Sequence, residues 1–185
     1  MSERGDPRAV RVGPGKLYVA AEAATEPEDL VTAWTNAWTL LGYTQEGSEF
    51  VFEQEFEDVF VAEELDPILT LQTTRRVLVN FNAAQITAAN MQRALNGGTI
   101  TTDEGVTKFE PPGVGEYTHI AIGWEAEDGL ERWIFRKCLQ IGSVNIARRK
   151  SPDLAPLPMS FSAVKPAAGT TFVMYHADDY EGIES

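Results

Sequence analysis

Cysteine, histidine and long apolar runs are what this 185-residue chain has least of. Its one cysteine, Cys138, excludes an intramolecular disulfide framework and a multi-cysteine zinc site. Two histidines, His119 and His176, are too few for most histidine-rich metal centres. Cations are also short: 15 Lys and Arg stand against 28 Asp and Glu, a formal charge of -13. That balance argues against a protein that reads nucleic acid, whose affinity comes largely from Lys and Arg on phosphates. No stretch approaches the roughly 18 apolar residues of a membrane helix, and Met1–Pro7 lacks the apolar core of a secretory signal. A soluble product of a reducing cytoplasm is expected. What remains is ample for a core, with 43% hydrophobic and 10% aromatic residues at a length that suits one domain, 1–185.

The acidic residues are unevenly placed. Gln45–Glu64 carries Glu46, Glu49, Glu53, Glu55, Glu57, Asp58, Glu63 and Glu64 with no Lys or Arg, and Asp178, Asp179, Glu181 and Glu184 mark an acidic C-terminal tail, 176–185. Within the first run Phe50, Phe52, Phe56 and Phe60 alternate with Glu49, Glu53, Glu55 and Glu57, which are joined by Val51, Val59 and Val61. Period-two alternation of this kind marks a half-buried strand. It predicts one aromatic face and one acidic face. Val77, Val79 and Phe81 alternate again in Ile68–Phe81, and Asp66-Pro67 supplies a bend between the two halves. The result is a long β-hairpin arm over 47–76, too long for an isolated two-stranded ribbon to be stable without a partner.

One segment reads as a helix, Thr87–Leu95 (87–96 with its cap). Thr87 is a good N-cap, Ile86 and Met91 form a hydrophobic staple, and Asn96-Gly97-Gly98 tolerates a left-handed exit. Glu22–Asp29 reads as a loop ahead of Trp34 and Trp38. The clearest hairpin is Tyr117–Gln140, where Asp128-Gly129 suggests a two-residue type I′ turn. That register sets Trp124 opposite Trp133, Ile122 opposite Phe135, Glu125 opposite Arg132 and His119 opposite Cys138. Further strands are expected at Lys16–Ala20, Ile141–Arg148, Met159–Val164 and Thr171–Tyr175, separated by Gly, Pro and Asp clusters. Many short strands and one helix predict a mainly β protein, an antiparallel β-sandwich or barrel.

No constellation carries catalysis. A His119–Cys138 pair lacks an orienting carboxylate nearby in sequence, so a buried structural thiol is the better reading. Glu125, Glu127, Asp128 and Glu131 cluster at a hairpin tip, where carboxylates are solvated and unsuited to paired-acid hydrolysis. Gly13-Pro14-Gly15 precedes a strand rather than a helix, so it does not cradle phosphate. Asp103-Glu104-Gly105 lacks the twelve-residue calcium pattern around it. No catalytic residue, cofactor or metal site is expected. Arg75-Arg76 and Arg148-Arg149-Lys150 are compact basic clusters without interleaved aromatics, and they suit an acidic arm from a neighbouring subunit better than nucleic acid.

Several segments in series resemble a known family: Val12–Ala20 (VGPGKLYVA), Leu41–Phe50 (LGYTQEGSEF), Val61–Pro67 (VAEELDP), Ala94–Gly98 (ALNGG), Gly123–Gly129 (GWEAEDG), Arg132–Arg136 (RWIFR) and Ile146–Lys150 (IARRK). Their order and content resemble the major tail proteins of long, flexible-tailed phages, especially those infecting actinobacteria. The resemblance implies a tail tube fold, a β-sandwich-like core with one flanking helix. It implies hexameric rings that stack into a tube, a continuous inner barrel, and rings bridged by the hairpin arm and the terminal arms, the N-terminal one being 1–14. Partners then include other copies of the chain and the tape-measure, tail terminator and distal tail proteins, while double-stranded DNA passes through without specific binding. Glu49, Glu53, Glu55, Glu57, Glu63 and Glu64 become candidates for the lumen or a subunit interface. Arg75, Arg76, Arg148, Arg149 and Lys150 become their inter-subunit counterparts. The alternatives are another virion component, such as a neck or capsid decoration protein, and a monomeric ligand-binding β-barrel.

Overall fold

The computed structural model describes residues 13–148 and 155–177. These residues form a mainly antiparallel β protein with a single short helix. The strands are β1 (Gly15–Ala21), β2 (Thr39–Leu40), β3 (Thr44–Val59), β4 (Leu69–Ala83), β5 (Thr99–Asp103), β6 (Val106–Glu110), β7 (Ile120–Ala126), β8 (Glu131–Gln140), β9 (Leu157–Ala163) and β10 (Phe172–His176), and the helix is α1 (Ala88–Ala94). The main sheet runs β2-β1-β7-β8-β9-β4-β3, with β10 added to β8, and β5-β6 stands apart as a two-stranded ribbon.

The sheet folds over on itself, and its inward residues alternate along the second half of β4 and along β9. Leu17, Val19, Val77, Val79, Phe81, Ile122, Phe135, Met159 and Phe161 form the main core. Phe50 of β3 packs on Trp124, Trp133 and Phe135, with ring centroids 5.2–5.7 Å apart, whereas Phe52 reaches Trp133 and Phe172. Successive inward aromatics of β3 thus step from β7 and β8 to β8 and β10. On the other face of β1, β7 and β8, a second cluster forms from Ala20, Ala121, Ile134 and Trp38, with Tyr18 and Trp34 packed against it.

Thr87 caps α1 by accepting from the Asn90 amide at 3.1 Å, and Asn96, Gly97 and Gly98 leave the helix with positive φ. The buried Asn90 side chain donates to Gln85 O and Leu41 O, tying the helix to the segment between β2 and β3. Asn96 bonds both the amide and the carbonyl of Gln140, standing in for a strand partner where β8 ends.

Three expectations change. The hairpin register is as read, with Trp124 opposite Trp133, Ile122 opposite Phe135 and Glu125 opposite Arg132. The turn differs: Gly129 N donates to Ala126 O, only Gly129 has positive φ, and Asp128 accepts from Leu130 N. A four-residue connection therefore delivers the register expected of a type I′ turn. Further along, two residues of β8 oppose Ala121 alone, and this bulge places Ile120, not His119, across from Cys138. Ile141–Arg148 is not a strand. Ile141 and Gly142 both donate to Ser160 O, after which Val144 and Ile146 pack on the core without a ladder. The true type I′ turn is Glu104-Gly105, both at positive φ, joining β5 to β6, a ribbon that the sequence reading missed.

Candidate assembly interface

β3 and β4 pair over their whole length and carry the arm. Only β4's second half, Val77–Ala83, pairs onward to β9. Beyond Phe52 and Val77 the two strands continue as a ribbon that the main sheet does not flank, and the chain turns between Phe60 and Ile68. β3 is also the terminal strand of the sheet, so its outer edge has no strand partner among the described residues.

The ladder places the acidic candidates. Glu49 faces Asn80 and accepts from its side chain at 3.1 Å. Glu53 faces Arg76, Glu55 faces Thr74 and Glu57 faces Leu71. Glu63 and Glu64 lie in the turn and are exposed. A bulge at Thr73, whose hydroxyl donates to Glu55 O at 3.3 Å, shifts the register between Glu55 and Phe56. The expected division into an aromatic and an acidic face therefore holds only at the base of the arm. Past the bulge, Leu69, Leu71 and Val59 share the side that carries Glu57. Phe56, Phe60, Ile68, Leu69 and Leu71 are all exposed, and Leu65 at the turn is 98% exposed. Monomeric proteins rarely leave so many large apolar side chains together in solvent.

The basic candidates divide. Arg76 lies beside Glu53 on the acidic side, and the guanidinium of Arg75 sits 5.9 Å over the Phe172 ring on the other. Arg148 is exposed outside any strand. Arg149, Lys150, the N-terminal residues 1–12 and the acidic tail after Ala177 lie outside the described residues.

Sequence reasoning missed a clamp on the opposite face. The bulge at Arg136–Lys137 turns both side chains toward the segment after β1. Arg136 grips both carboxylate oxygens of Glu26 at 2.9 and 3.1 Å and donates to Thr170. That hydrogen bonding to Glu26 raises the guanidinium's pKa. Lys137 pairs with Glu22 at 2.8 Å. Arg132 is buried, donates to Asp29 O and Thr32 O, pairs with Glu125 at 3.2 Å and lies 4.9 Å over Trp34. The available signal was the spacing of Glu22, Glu26 and Asp29 ahead of two tryptophans, matched by Arg132 and Arg136 on one strand face. It fixes the segment bearing Trp34 and Trp38 as a second layer over β1, β7 and β8.

No nucleophile paired with a base and no metal cluster is found among the described residues. Cys138 is buried, and desolvation pushes its thiol far above the usual range, so it is no nucleophile. No group of metal-ligating side chains is present among the described residues. What stands out is a long edge without a strand partner among the described residues, an arm of exposed apolar residues and a dense negative charge. The family model described as phage tail tube protein matches residues 5–183. The chain belongs to the phage tail tube protein family. It is a structural, non-enzymatic component of the virion tail, and its family implies assembly of copies into a tube. No helix among the described residues is long and apolar enough to cross a membrane. Comparison with the curated proteins finds no match.

Proposed function

We propose that this tail tube protein polymerises as hexameric rings stacked into the tube through which genome DNA leaves the virion. The observation that carries this reading is the arm. A sixteen-residue strand whose outer edge has no partner among the described residues, with exposed Phe56 on it and exposed Leu65, Leu69 and Leu71 beyond, is an aggregation hazard in a lone chain. Pairing around a closed ring removes that hazard.

The acidic residues take two roles along the arm. Glu49, Glu53 and Glu55, before the bulge, face the lumen. Glu57, Glu63 and Glu64 sit among apolar residues at the projecting end and belong to a contact between subunits, with Arg148, Arg149 and Lys150 as the available countercharges, whereas Arg76 lies beside Glu53 on the bore side and Arg75 over Phe172 of its own chain. Acidity at the wall suits a conduit, because a basic wall would hold the duplex by counterion release. A unit pair about 10 Å apart in water interacts by only about 0.4 kcal/mol before screening. Repeated along a tube, that repulsion keeps DNA off the wall without blocking its passage. The tape-measure, terminator and distal tail proteins are the remaining partners of this reading.

Negative-stain microscopy of the purified chain at rising concentration tests it. Long hollow tubes with a regular ring repeat are expected. A single ring that never stacks would point to a neck or decoration protein, and lone particles at high concentration would refute assembly altogether.

A further inference from the structure

Asn96 is followed by Gly97, the one Asn-Gly pair in the sequence. A glycine nitrogen has no neighbouring Cβ to hinder its attack on the preceding side-chain amide, so an unfolded chain readily closes that ring. The fold engages both reacting groups elsewhere. The Asn96 carboxamide accepts from the Gln140 amide at 2.8 Å and donates to Gln140 O at 2.7 Å. The Gly97 amide donates to Gln92 O at 2.8 Å, and Asn96 O accepts from the Thr118 amide at 2.7 Å. Helix α1, the approach to β7 and the end of β8 therefore all hold this one junction.

We propose that Asn96-Gly97 is a latent deamidation site, silenced by the native junction and able to record its opening as a lasting change of side chain. The inference stands apart from the tube reading, since a chain that never polymerised would still obey it. When the junction opens, the Gly97 nitrogen gives its proton to solvent and bonds to Asn96 Cγ. The Cγ–Nδ2 bond breaks and ammonia leaves, forming a cyclic imide. Water then opens the imide to aspartate or to an isoaspartyl linkage. Neither product rebuilds the junction. A carboxylate has no N–H for Gln140 O and sets its lone pairs against that carbonyl. The isoaspartyl form adds a main-chain carbon at the helix exit, where even a Cβ on Gly98 would come within 2.4 Å of Glu110 O. Chains that fold promptly keep Asn96, whereas chains that linger open leave the folded pool.

Mass spectrometry of the whole chain after two incubations tests this. Native and urea-unfolded protein are held in the same mildly alkaline buffer and then digested with trypsin, which releases 94–108 with Asn96 as its sole asparagine. The unfolded sample is expected to gain one mass unit in that fragment and to become a substrate for isoaspartyl methyltransferase. The native sample should react at least about tenfold more slowly, because the rate follows the population of the open junction. Equal rates in the two states would overturn the silencing, and no conversion in the unfolded state would overturn the site itself. A second variant, Asn96→Asp, reads the consequence. A lower urea midpoint than wild type, or no folding transition, is expected, and an unchanged midpoint would refute the claim that the product cannot rebuild the junction.

Discussion

Glu125 and Arg132 stand directly opposite each other on β7 and β8, and Trp34 hydrogen-bonds to the first and stacks on the second. A cross-strand ion pair legible in sequence thereby becomes the anchor of a segment far away in the chain. Two main-chain oxygens, Asp29 O and Thr32 O, depend on the same guanidinium.

Replacing Arg132 with alanine is therefore expected to destabilise the unassembled chain by about 3 kcal/mol. The change leaves a partly buried carboxylate with only the Trp34 indole as donor and removes the guanidinium from two carbonyls. Arg132→Lys should recover only part of this, because an ammonium cannot supply the planar fork that serves three acceptors and stacks on indole. Urea unfolding followed by tryptophan fluorescence checks both. A loss below 1 kcal/mol for the alanine variant would show that the clamp holds little.

Turn chemistry gives two opposed expectations. Glu104 occupies a left-handed conformation, φ 45°, ahead of Gly105, where asparagine is strongly preferred. Glu104→Asn should stabilise by about 0.5 kcal/mol. Gly129 has φ 72° as the third of the four residues that connect β7 to β8, so Gly129→Ala should destabilise by about 1 kcal/mol. Thermal melting of the two variants beside wild type reads both signs.

The thiol of Cys138 makes stability fall with alkali. Burial raises its pKa in the folded chain, while in the unfolded chain it ionises near 8.5. Above that pH only the unfolded state releases the proton, so folding weakens by about 1.4 kcal/mol for each pH unit until the folded thiol itself titrates. Tyr18 and Tyr175 have raised pKa values as well and pull the same way at still higher pH. The test is the difference between wild type and Cys138→Ala from pH 8 to pH 10, which cancels the tyrosines. Wild type should lose more stability over that interval, and parallel curves would refute the assignment.

Alternation and turn residues made the β-sheet nature, the β7–β8 register and the long arm readable, because each depends on residues close in sequence. Thr87 and Asn96-Gly97-Gly98 likewise marked the helix ends. The bulges at Thr73 and at Arg136–Lys137 left no local mark, since an extra residue is defined only against the partner strand. Each changed a functional reading: one mixed leucines into the acidic face, and the other separated His119 from Cys138 while aiming two cations at Glu22 and Glu26.

Charge reversal along the arm separates the two roles assigned to its glutamates. Glu53→Lys with Glu55→Lys changes residues before the bulge, where Arg76 and Thr74 are the cross-strand neighbours. If that stretch faces the bore, tubes still form, and the positive wall then retains duplex DNA at low salt, releasing it steeply as salt rises. Glu57→Lys with Glu64→Lys changes the end that lies among Leu65, Leu69 and Leu71. If that end meets another subunit, polymerisation fails or needs a markedly higher protein concentration, because opposed like charges replace attraction. Sedimentation reads assembly, and retention of a labelled duplex at 50 and 200 mM salt reads the wall. Loss of tubes from the first pair together with normal tubes from the second would reverse the assignment, placing the base of the arm in the interface and its end in the bore.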